Sequence, residues 1–247
     1  MSLNYDQFAC QYDIYRKPDY RINASIQSHI DGSDWILNVG AGVGSYEPEN
    51  GHVIAIEPSF EMISKRENSG TKPIQGVAEH LPFKNNVFDC SMAVLTIHHW
   101  SNFEAGLKEM LRVTKNKIIL FTWIRNDNRF WLEDYIPEIS GKDGALFPDL
   151  EELDRILCGI TVETIEIPYD CTDGFMCAYW RRPEAYLNPD IRKAISVFSG
   201  ITDVDAKLSK LHEDIKNGVW LQNNKHLLDK ETMDYGYRLV IHENNLS

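Results

Sequence analysis

The chain has 247 residues, of which 43% are hydrophobic, and its formal net charge is −12. This length suits one domain with a sizeable core. The acidity, together with the lack of a basic stripe, argues against nucleic acid or an anionic membrane surface as a partner. The five cysteines have irregular spacings and no C-x-x-C pair, so we expect reduced thiols, no metal site and a cytoplasmic location. No apolar run approaches the ~20 residues of a membrane span, and we expect no signal peptide.

The first half of the chain alternates between predicted strands and helices. Residues 4–30 are expected to be mostly helical, with a break at Lys17-Pro18. Strands follow at 35–40, 52–57, 72–77, 87–95 and 117–123, with helices at 59–67, capped by Ser59, and at 101–113, capped by a Ser101 and Glu104 box. The last of these strands is nearly all apolar, as in strands buried on both faces. The rhythm predicts a doubly wound, Rossmann-like α/β sheet.

The second half departs from this rhythm. Residues 161–170 and 235–243 alternate like strands, and the stretch between them is mostly helical in pattern. Apolar residues at helical spacing over 204–215 predict one helix of that stretch. We therefore expect a single domain over the whole chain, in which residues 1–30 form a helical cover. Residues 125–158 and 171–234 would be helical insertions over the edge of the sheet where a ligand would bind.

A glycine-rich turn follows the first predicted strand in the stretch ILNVGAGVGSYEP, residues 36–48. Ligands of doubly wound sheets bind beyond the carboxyl ends of the strands, where this turn lies. A dinucleotide fingerprint would have a third glycine at Ser45, and the lysine of a phosphate-binding loop is absent. The turn alone is also compatible with no ligand. Glu57 ends the second strand, where a carboxylate can accept hydrogen bonds from ribose hydroxyls or simply begin a helix; the pairing with the glycine turn favours ribose.

Three further sequence motifs accompany the glycine turn. AEHLPF occupies 78–83, EPS with a following Met62 begins at 57, and LTIHHW occupies 95–100. With the glycine turn, these segments match in order and spacing the hallmarks of the class I S-adenosylmethionine-dependent methyltransferases, and residues 36–123 resemble their type 11 branch. The resemblance implies a sheet of about seven strands with the last one antiparallel, and S-adenosylmethionine as cofactor with S-adenosylhomocysteine as product.

The resemblance also implies which residues bind the cofactor. The glycine turn would approach its methionine part, Glu57 its ribose, and the residues around Ala78 its adenine. The full set is Asn38, Gly40, Ala41, Gly42, Gly44, Glu57, Pro58, Met62, Ala78, Glu79 and Leu95. Asn38 departs from the family, which usually has an acid there. An amide accepts a hydrogen bond from the cofactor's ammonium without contributing charge, so we expect weaker binding rather than a lost site.

Methyl transfer from a sulfonium is an in-line displacement that mostly requires alignment and exclusion of water. His98 and His99 are the candidates for a general base, although histidines that merely pack at a strand end fit the pattern as well. The N-terminal residues Tyr12, Tyr15 and Arg16 are candidates for contact with the methionyl carboxylate or the substrate, or else belong to an amphipathic cover helix. The candidates for the acceptor pocket, or alternatively for the core and surface ion pairs, are Trp123, Trp131, Tyr179, Trp180, Arg181 and Arg182.

We thus expect a cytoplasmic S-adenosylmethionine-dependent methyltransferase that acts on a small molecule. An NAD-dependent oxidoreductase is a rival that Ser45 and the terminal antiparallel strand disfavour. A protein that binds S-adenosylmethionine or a nucleotide without catalysis is the other alternative.

Overall fold

A mixed sheet of seven strands forms the centre of the molecule. The computed structural model describes residues 12–66, 73–139 and 147–244. The order of the strands is β3-β2-β1-β4-β5-β9-β6, and β9 runs antiparallel to both of its neighbours. The strands are β1 (Trp35–Val39), β2 (His52–Glu57), β3 (Pro73–Gln75), β4 (Phe88–Val94), β5 (Thr114–Trp123), β6 (Thr161–Thr164) and β9 (Tyr237–Glu243). This architecture confirms the predicted Rossmann-like fold with its last strand antiparallel.

The order in which the chain adds strands to the sheet reverses at β1. From β1 to β3 the chain proceeds toward one edge, and β4 then pairs on the other side of β1. Such a reversal leaves a crevice at the carboxyl ends of the strands, because the connections on either side lead to opposite faces. The glycine turn follows β1 and therefore borders this crevice.

The helices of the first half close both faces of the sheet. They are α1 (Tyr12–Tyr15), α2 (Tyr20–Ile30), α3 (Phe60–Ser64) and α4 (Phe103–Val113). Pro18 lies in the break between α1 and α2, as predicted. Ser59 caps α3 by accepting from the backbone N–H of Met62 at 3.3 Å. The cap of α4 is one residue later than predicted: Asn102 accepts from the N–H of Ala105, while Ser101 donates its hydroxyl to Glu79.

The helices of the second half are α5 (Leu150–Leu157), α6 (Pro189–Lys193), α7 (Val204–Lys216) and α8 (Val219–Asn223). Short 3₁₀ turns lie at Ile97–His99, Trp131–Asp134, Pro183–Leu187, Ser196–Gly200 and Lys225–Leu227. Helix α7 confirms the apolar spacing, since Leu208 and Leu211 are buried.

The predicted strand over 161–170 is divided. Its first part is β6, which joins the main sheet, while β7 (Ile167–Pro168) pairs with β8 (Thr232–Met233) in a separate two-stranded sheet. Pro168 has no N–H to donate, which suits the edge of a small sheet better than an internal position. The alternation of the sequence predicted extended backbone here, but it did not predict the change of partner.

Alternate residues of the strands enter two cores. On one face, Ile36, Ile119 and Phe121 pack with the isoleucines of α2. On the other face, Leu37 and Ile118 pack with the apolar sides of α4 and α5. This period of two explains why the central strands read as continuous apolar runs.

The residues between β7 and β8 do not form a separate unit. Trp180, Tyr186 and Trp220 are buried in the same cluster as Ile36 and Phe121 of the sheet. Trp131 joins them and makes edge-on ring contacts with Tyr186 and Trp220. The core of the inserted stretch is therefore continuous with one core of the sheet.

Within the described ranges, no helix combines the length and the apolar character that crossing a bilayer requires.

Candidate functional site

A cavity of about 870 Å³ lies at the carboxyl ends of β1, β2 and β4. Ten of the eleven residues that the sequence assigned to a cofactor line it, and Gly44 is the exception. Those ten are Asn38, Gly40, Ala41, Gly42, Glu57, Pro58, Met62, Ala78, Glu79 and Leu95. Arg16, His98, His99 and Trp123 also contribute to its wall. The motifs of the first half thus converge on one space.

The three glycines of the turn are required for different structural reasons. A Cβ on Gly40 would overlap the Thr96 hydroxyl, and one on Gly44 would lie 3.1 Å from both Arg66 Nη2 and Glu47 Oε2. Gly42 lines the cavity with a φ of +52°, and apart from its own chain neighbours no atom of the described residues lies within 4 Å of the place where its Cβ would be. Two of the glycines therefore make room for the protein itself, and the remaining one leaves backbone open to a ligand.

Glu57 connects the end of β2 to the glycine turn. Its Oε2 accepts from the N–H of Gly42 at 2.8 Å, and its Oε1 accepts from the N–H of Ser59 at 2.9 Å. Burial raises the pKa of this carboxyl group, although the two backbone bonds and the charge of Arg66 act in the opposite direction. Each carboxylate oxygen accepts more than one hydrogen bond, so the group retains capacity for donors in the cavity.

Asn38 lies at the end of β1 and is only 2% exposed. Its Nδ2 donates to Glu47 Oε1 at 2.9 Å. Glu47 was not predicted from the sequence as a site residue, since an acid in a turn carries no periodic signal.

Glu79 borders the cavity near Ala78 and is held by the start of α4. Its Oε1 accepts from the Ser101 hydroxyl at 2.8 Å and from the N–H of Asn102 at 2.9 Å. Burial alone would raise the pKa of Glu79, but these bonds lower it overall. The carboxylate therefore also fixes the loop that leads into α4.

Four ring side chains form what we call the aromatic wall: His98, His99, Trp123 and Phe147. The His98 ring stacks on Phe147 with centroids 4.1 Å apart, and its centroid is 3.7 Å from that of His99. Phe147 meets Trp123 edge-on at 5.4 Å. The indole N–H of Trp123 donates to the carbonyl of Tyr235, so its polar atom is satisfied within the protein. The wall thus presents mostly flat carbon surface.

Both histidines of the aromatic wall are neutral near pH 7. Burial, the neighbouring His99 and Arg16 hold the pKa of His98 well below its usual range. Burial and Arg16 lower the pKa of His99 to about 3. Both residues are partly exposed as a whole, although the Nδ1 atom of each ring is buried. A neutral imidazole has one nitrogen that accepts a hydrogen bond.

Arg16 lies on the cavity wall and is also paired with the inserted stretch. Its Nε is 2.6 Å from Asp173 Oδ1, and Asp173 is only 1% exposed. The Tyr46 hydroxyl donates to the same carboxylate at 3.0 Å and accepts from the N–H of Asp19 at 3.2 Å. The cover, the glycine turn and the inserted stretch therefore meet at Asp173.

Several expected acceptor contacts lie elsewhere. Trp131 and Trp180 donate their indole N–H groups to carbonyls inside the core. Tyr179 is buried beside the Arg182 guanidinium, and Arg181 stacks on the Tyr169 ring at 4.3 Å. None of these side chains lines the cavity, and neither does Tyr15. The side chain of Tyr12 lies outside the described residues.

Part of the cavity wall was not predicted from the sequence. Residues that line the cavity without having been predicted include Thr96, Tyr46, Phe147, Phe175, Met176, Cys177, Tyr237 and most of 193–200. The richness of 171–200 in aromatic residues was a signal, but it did not show which rings face the cavity. In the part of the chain that the structure describes, no group of three or more His, Cys, Asp or Glu side chains is placed to hold a metal ion.

Known proteins resemble both the sheet and the whole chain. Residues 37–122 match the family model of a methyltransferase domain. A crystal structure assigned to a methyltransferase from an antibiotic biosynthesis pathway of Anabaena variabilis is 31% identical, with a TM-score of 0.86. That similarity covers 92% of this chain and 98% of the Anabaena chain, so it includes the inserted stretches.

Two curated relatives match only in part. The uncharacterized methyltransferase YcgJ of Bacillus subtilis is 30% identical over 42% of this chain and 42% of its own length. A tRNA (carboxymethyluridine(34)-5-O)-methyltransferase of Schizosaccharomyces pombe is 29% identical over 55% of this chain and 65% of its own length. The chain therefore spans less than two thirds of each of these relatives.

Proposed function

Since the chain belongs to the class I S-adenosylmethionine-dependent methyltransferases of the type 11 branch, we propose that it transfers a methyl group to a small-molecule acceptor. The observation that carries the proposal is one cavity with two kinds of wall. The glycine turn and Glu57 border one part, and the aromatic wall borders another. Donor and acceptor would thus meet in a single cavity.

The residues on the cofactor side suit the donor chemically. Gly42 leaves backbone open to a close approach, and Glu57 has acceptor capacity for the two hydroxyls of a ribose. Ala78, Pro58 and Met62 offer apolar surface for an adenine ring. When bound, S-adenosylmethionine supplies a methyl group activated by its sulfonium.

The aromatic wall suits an acceptor with a flat, apolar part. Aromatic rings pack face to face or edge to face with such a molecule and exclude water from it. In-line transfer to a hydroxyl group releases one proton. An unprotonated His98 or His99 ring beside the cavity can accept that proton, but the depressed pKa of each makes it a weak base, so alignment of donor and acceptor would carry most of the transfer. Both histidines are therefore proposed as general-base candidates.

Transfer RNA is the competing acceptor, because one relative methylates it. The net charge of −12 disfavours it, since binding to a phosphate backbone relies on lysine and arginine. The aromatic wall also lines a cavity of about 870 Å³, a volume that favours a small acceptor.

Labelled methyl transfer tests the proposal. The protein is incubated with S-adenosylmethionine tritiated on its methyl group, together with either total tRNA or the low-molecular-weight fraction of a cell extract. We expect label in small molecules and none in tRNA. Label in tRNA, or failure of S-adenosylhomocysteine to bind in calorimetry, would overturn the assignment of acceptor or of cofactor respectively.

A further inference from the structure

Asn38 and Glu47 form a buried hydrogen-bonded pair of which only one member lines the cavity. Asn38 lines the cavity, whereas Glu47 is not among the residues of the described cavity wall. The amide donates to the carboxylate at 2.9 Å. Glu47 therefore lies behind Asn38 as seen from the cavity.

Glu47 is itself fixed by an arginine. Its Oε2 is 2.6 Å from Arg66 Nη2, and the two side chains are 9% and 3% exposed. Arg66 also donates to the carbonyl of Gly42 at 3.3 Å. A short, buried ion pair of this kind holds the carboxylate in one orientation.

The chemistry of the carboxylate determines which way the amide faces. An ionised carboxylate only accepts hydrogen bonds, so the NH₂ end of Asn38 must point toward Glu47. The Oδ1 end is then left for the cavity, and no described residue donates a hydrogen bond to it. Asn38 thus offers the cavity an acceptor and never a donor.

We propose that Glu47 is a positioning residue that fixes the Asn38 amide so that its oxygen accepts from the ammonium group of the ligand's amino-acid part. This inference rests on the proposed function. The carboxylate of Glu47, held by Arg66, does not itself reach the cavity. It acts on the ligand only by fixing the orientation of the Asn38 amide, which does line the cavity.

The proposal predicts a specific failure for Glu47→Gln. The glutamine oxygen stays with the charged Arg66, so its NH₂ group faces Asn38. The Asn38 amide then turns its oxygen toward residue 47 and its NH₂ group toward the cavity, where it opposes an ammonium. We expect the affinity for S-adenosylhomocysteine to fall about tenfold to a hundredfold.

A charge exchange provides the matched variant. Asn38→Asp alone places two carboxylates against each other and is expected to weaken binding, because like charges in one buried site disfavour ionisation. In the double variant N38D/E47Q, the new glutamine donates to the new aspartate and accepts from Arg66. We expect this double variant to bind S-adenosylhomocysteine at least as tightly as the wild type.

The readout is calorimetry with S-adenosylhomocysteine and with 5′-methylthioadenosine, which lacks the amino-acid part. Affinity for 5′-methylthioadenosine should stay within about twofold of the wild-type value in all three variants. An equal loss for both ligands would make Glu47 a structural brace and overturn the proposal. An unchanged affinity of Glu47→Gln for S-adenosylhomocysteine, or a double variant that binds it more weakly than the wild type, would overturn it as well. A wild-type protein that binds neither ligand would instead refute the proposed function.

Discussion

The two sides of the cavity are built in different ways. The proposed cofactor side consists of a turn and strand ends within residues 38–95, so its residues are close in sequence and share backbone contacts. The acceptor side collects Trp123, Phe147, Phe175 and residues around 193–200 from distant parts of the chain. The first is specified by local backbone geometry and the second by packing of the core. Variants of each side should therefore affect different measurements.

The largest effect on stability is expected from a core tryptophan. Trp131 is buried against Tyr186 and Trp220, so Trp131→Ala should lower the free energy of unfolding by about 3–5 kcal/mol. Trp123→Ala is the matched variant, since Trp123 is half-buried and borders the cavity. Chemical denaturation should show a smaller loss for Trp123→Ala, and methyl transfer a larger one. The reverse order would contradict the division into core and wall.

The cofactor side should respond in affinity. Glu57→Ala removes the acceptor proposed for the ribose hydroxyls, and we expect about a hundredfold weaker binding of S-adenosylhomocysteine in calorimetry. The exposed Glu49 provides a control, because Glu49→Ala removes the same charge from the surface near the turn. An unchanged affinity for Glu57→Ala would show that the carboxylate serves only Gly42 and Ser59.

The histidines of the aromatic wall should make stability depend on pH. The pKa of His98 is depressed in the folded protein, while the unfolded chain has a value near 6.5. The stabilising contribution is therefore complete above pH 6.5 and is lost as the pH falls toward the folded pKa. Between pH 7 and pH 5 one such histidine lowers the free energy of unfolding by about 2 kcal/mol.

Denaturation of His98→Phe at both pH values measures this contribution. The variant should lose less stability on acidification than the wild type, and His226→Phe, at an exposed histidine, should behave like the wild type. If His98→Phe and the wild type have parallel profiles, the ring is not held neutral.

The smallest effect is expected at an arginine of the inserted stretch. Arg181 stacks on Tyr169 and donates to the carbonyl of Lys230 at the surface. Arg181→Ala should therefore reduce the free energy of unfolding by at most about 1 kcal/mol and leave methyl transfer unchanged. A large loss of transfer with intact folding would return Arg181 to the acceptor side.

The same division explains how much could be predicted from sequence. The fold and the cofactor side follow from strand periodicity and from motifs at strand ends, because the topology alone brings Gly42, Glu57 and Ala78 to one edge. The cap of α4 was misplaced by one residue, since Ser101 and Asn102 are both good caps and only Glu79 decides between them. The role of Glu47 depends on a partner at Arg66 that no periodic pattern marks.

The acceptor side could not be predicted at the level of residues. Trp123 and Trp131 are alike in type and close in sequence, yet one borders the cavity and the other lies in the core. Their placement depends on Tyr235 and Trp180, whose carbonyls accept the indole N–H groups. These contacts join segments 49 and 112 residues apart. Local pattern contains no information about such distant partners.

The continuous core beneath the inserted stretch has an evolutionary consequence. Trp180, Tyr186 and Trp220 share one cluster with Ile36 and Phe121 of the sheet, so exchanging the whole stretch between relatives would remove part of the core of the recipient. Residues 196, 199 and 200 line the cavity yet are half-buried or exposed and outside that cluster. Homologues that acquire a new acceptor should therefore differ first at residues 196, 199 and 200, by single substitutions. The aromatic residues of the core should change more slowly.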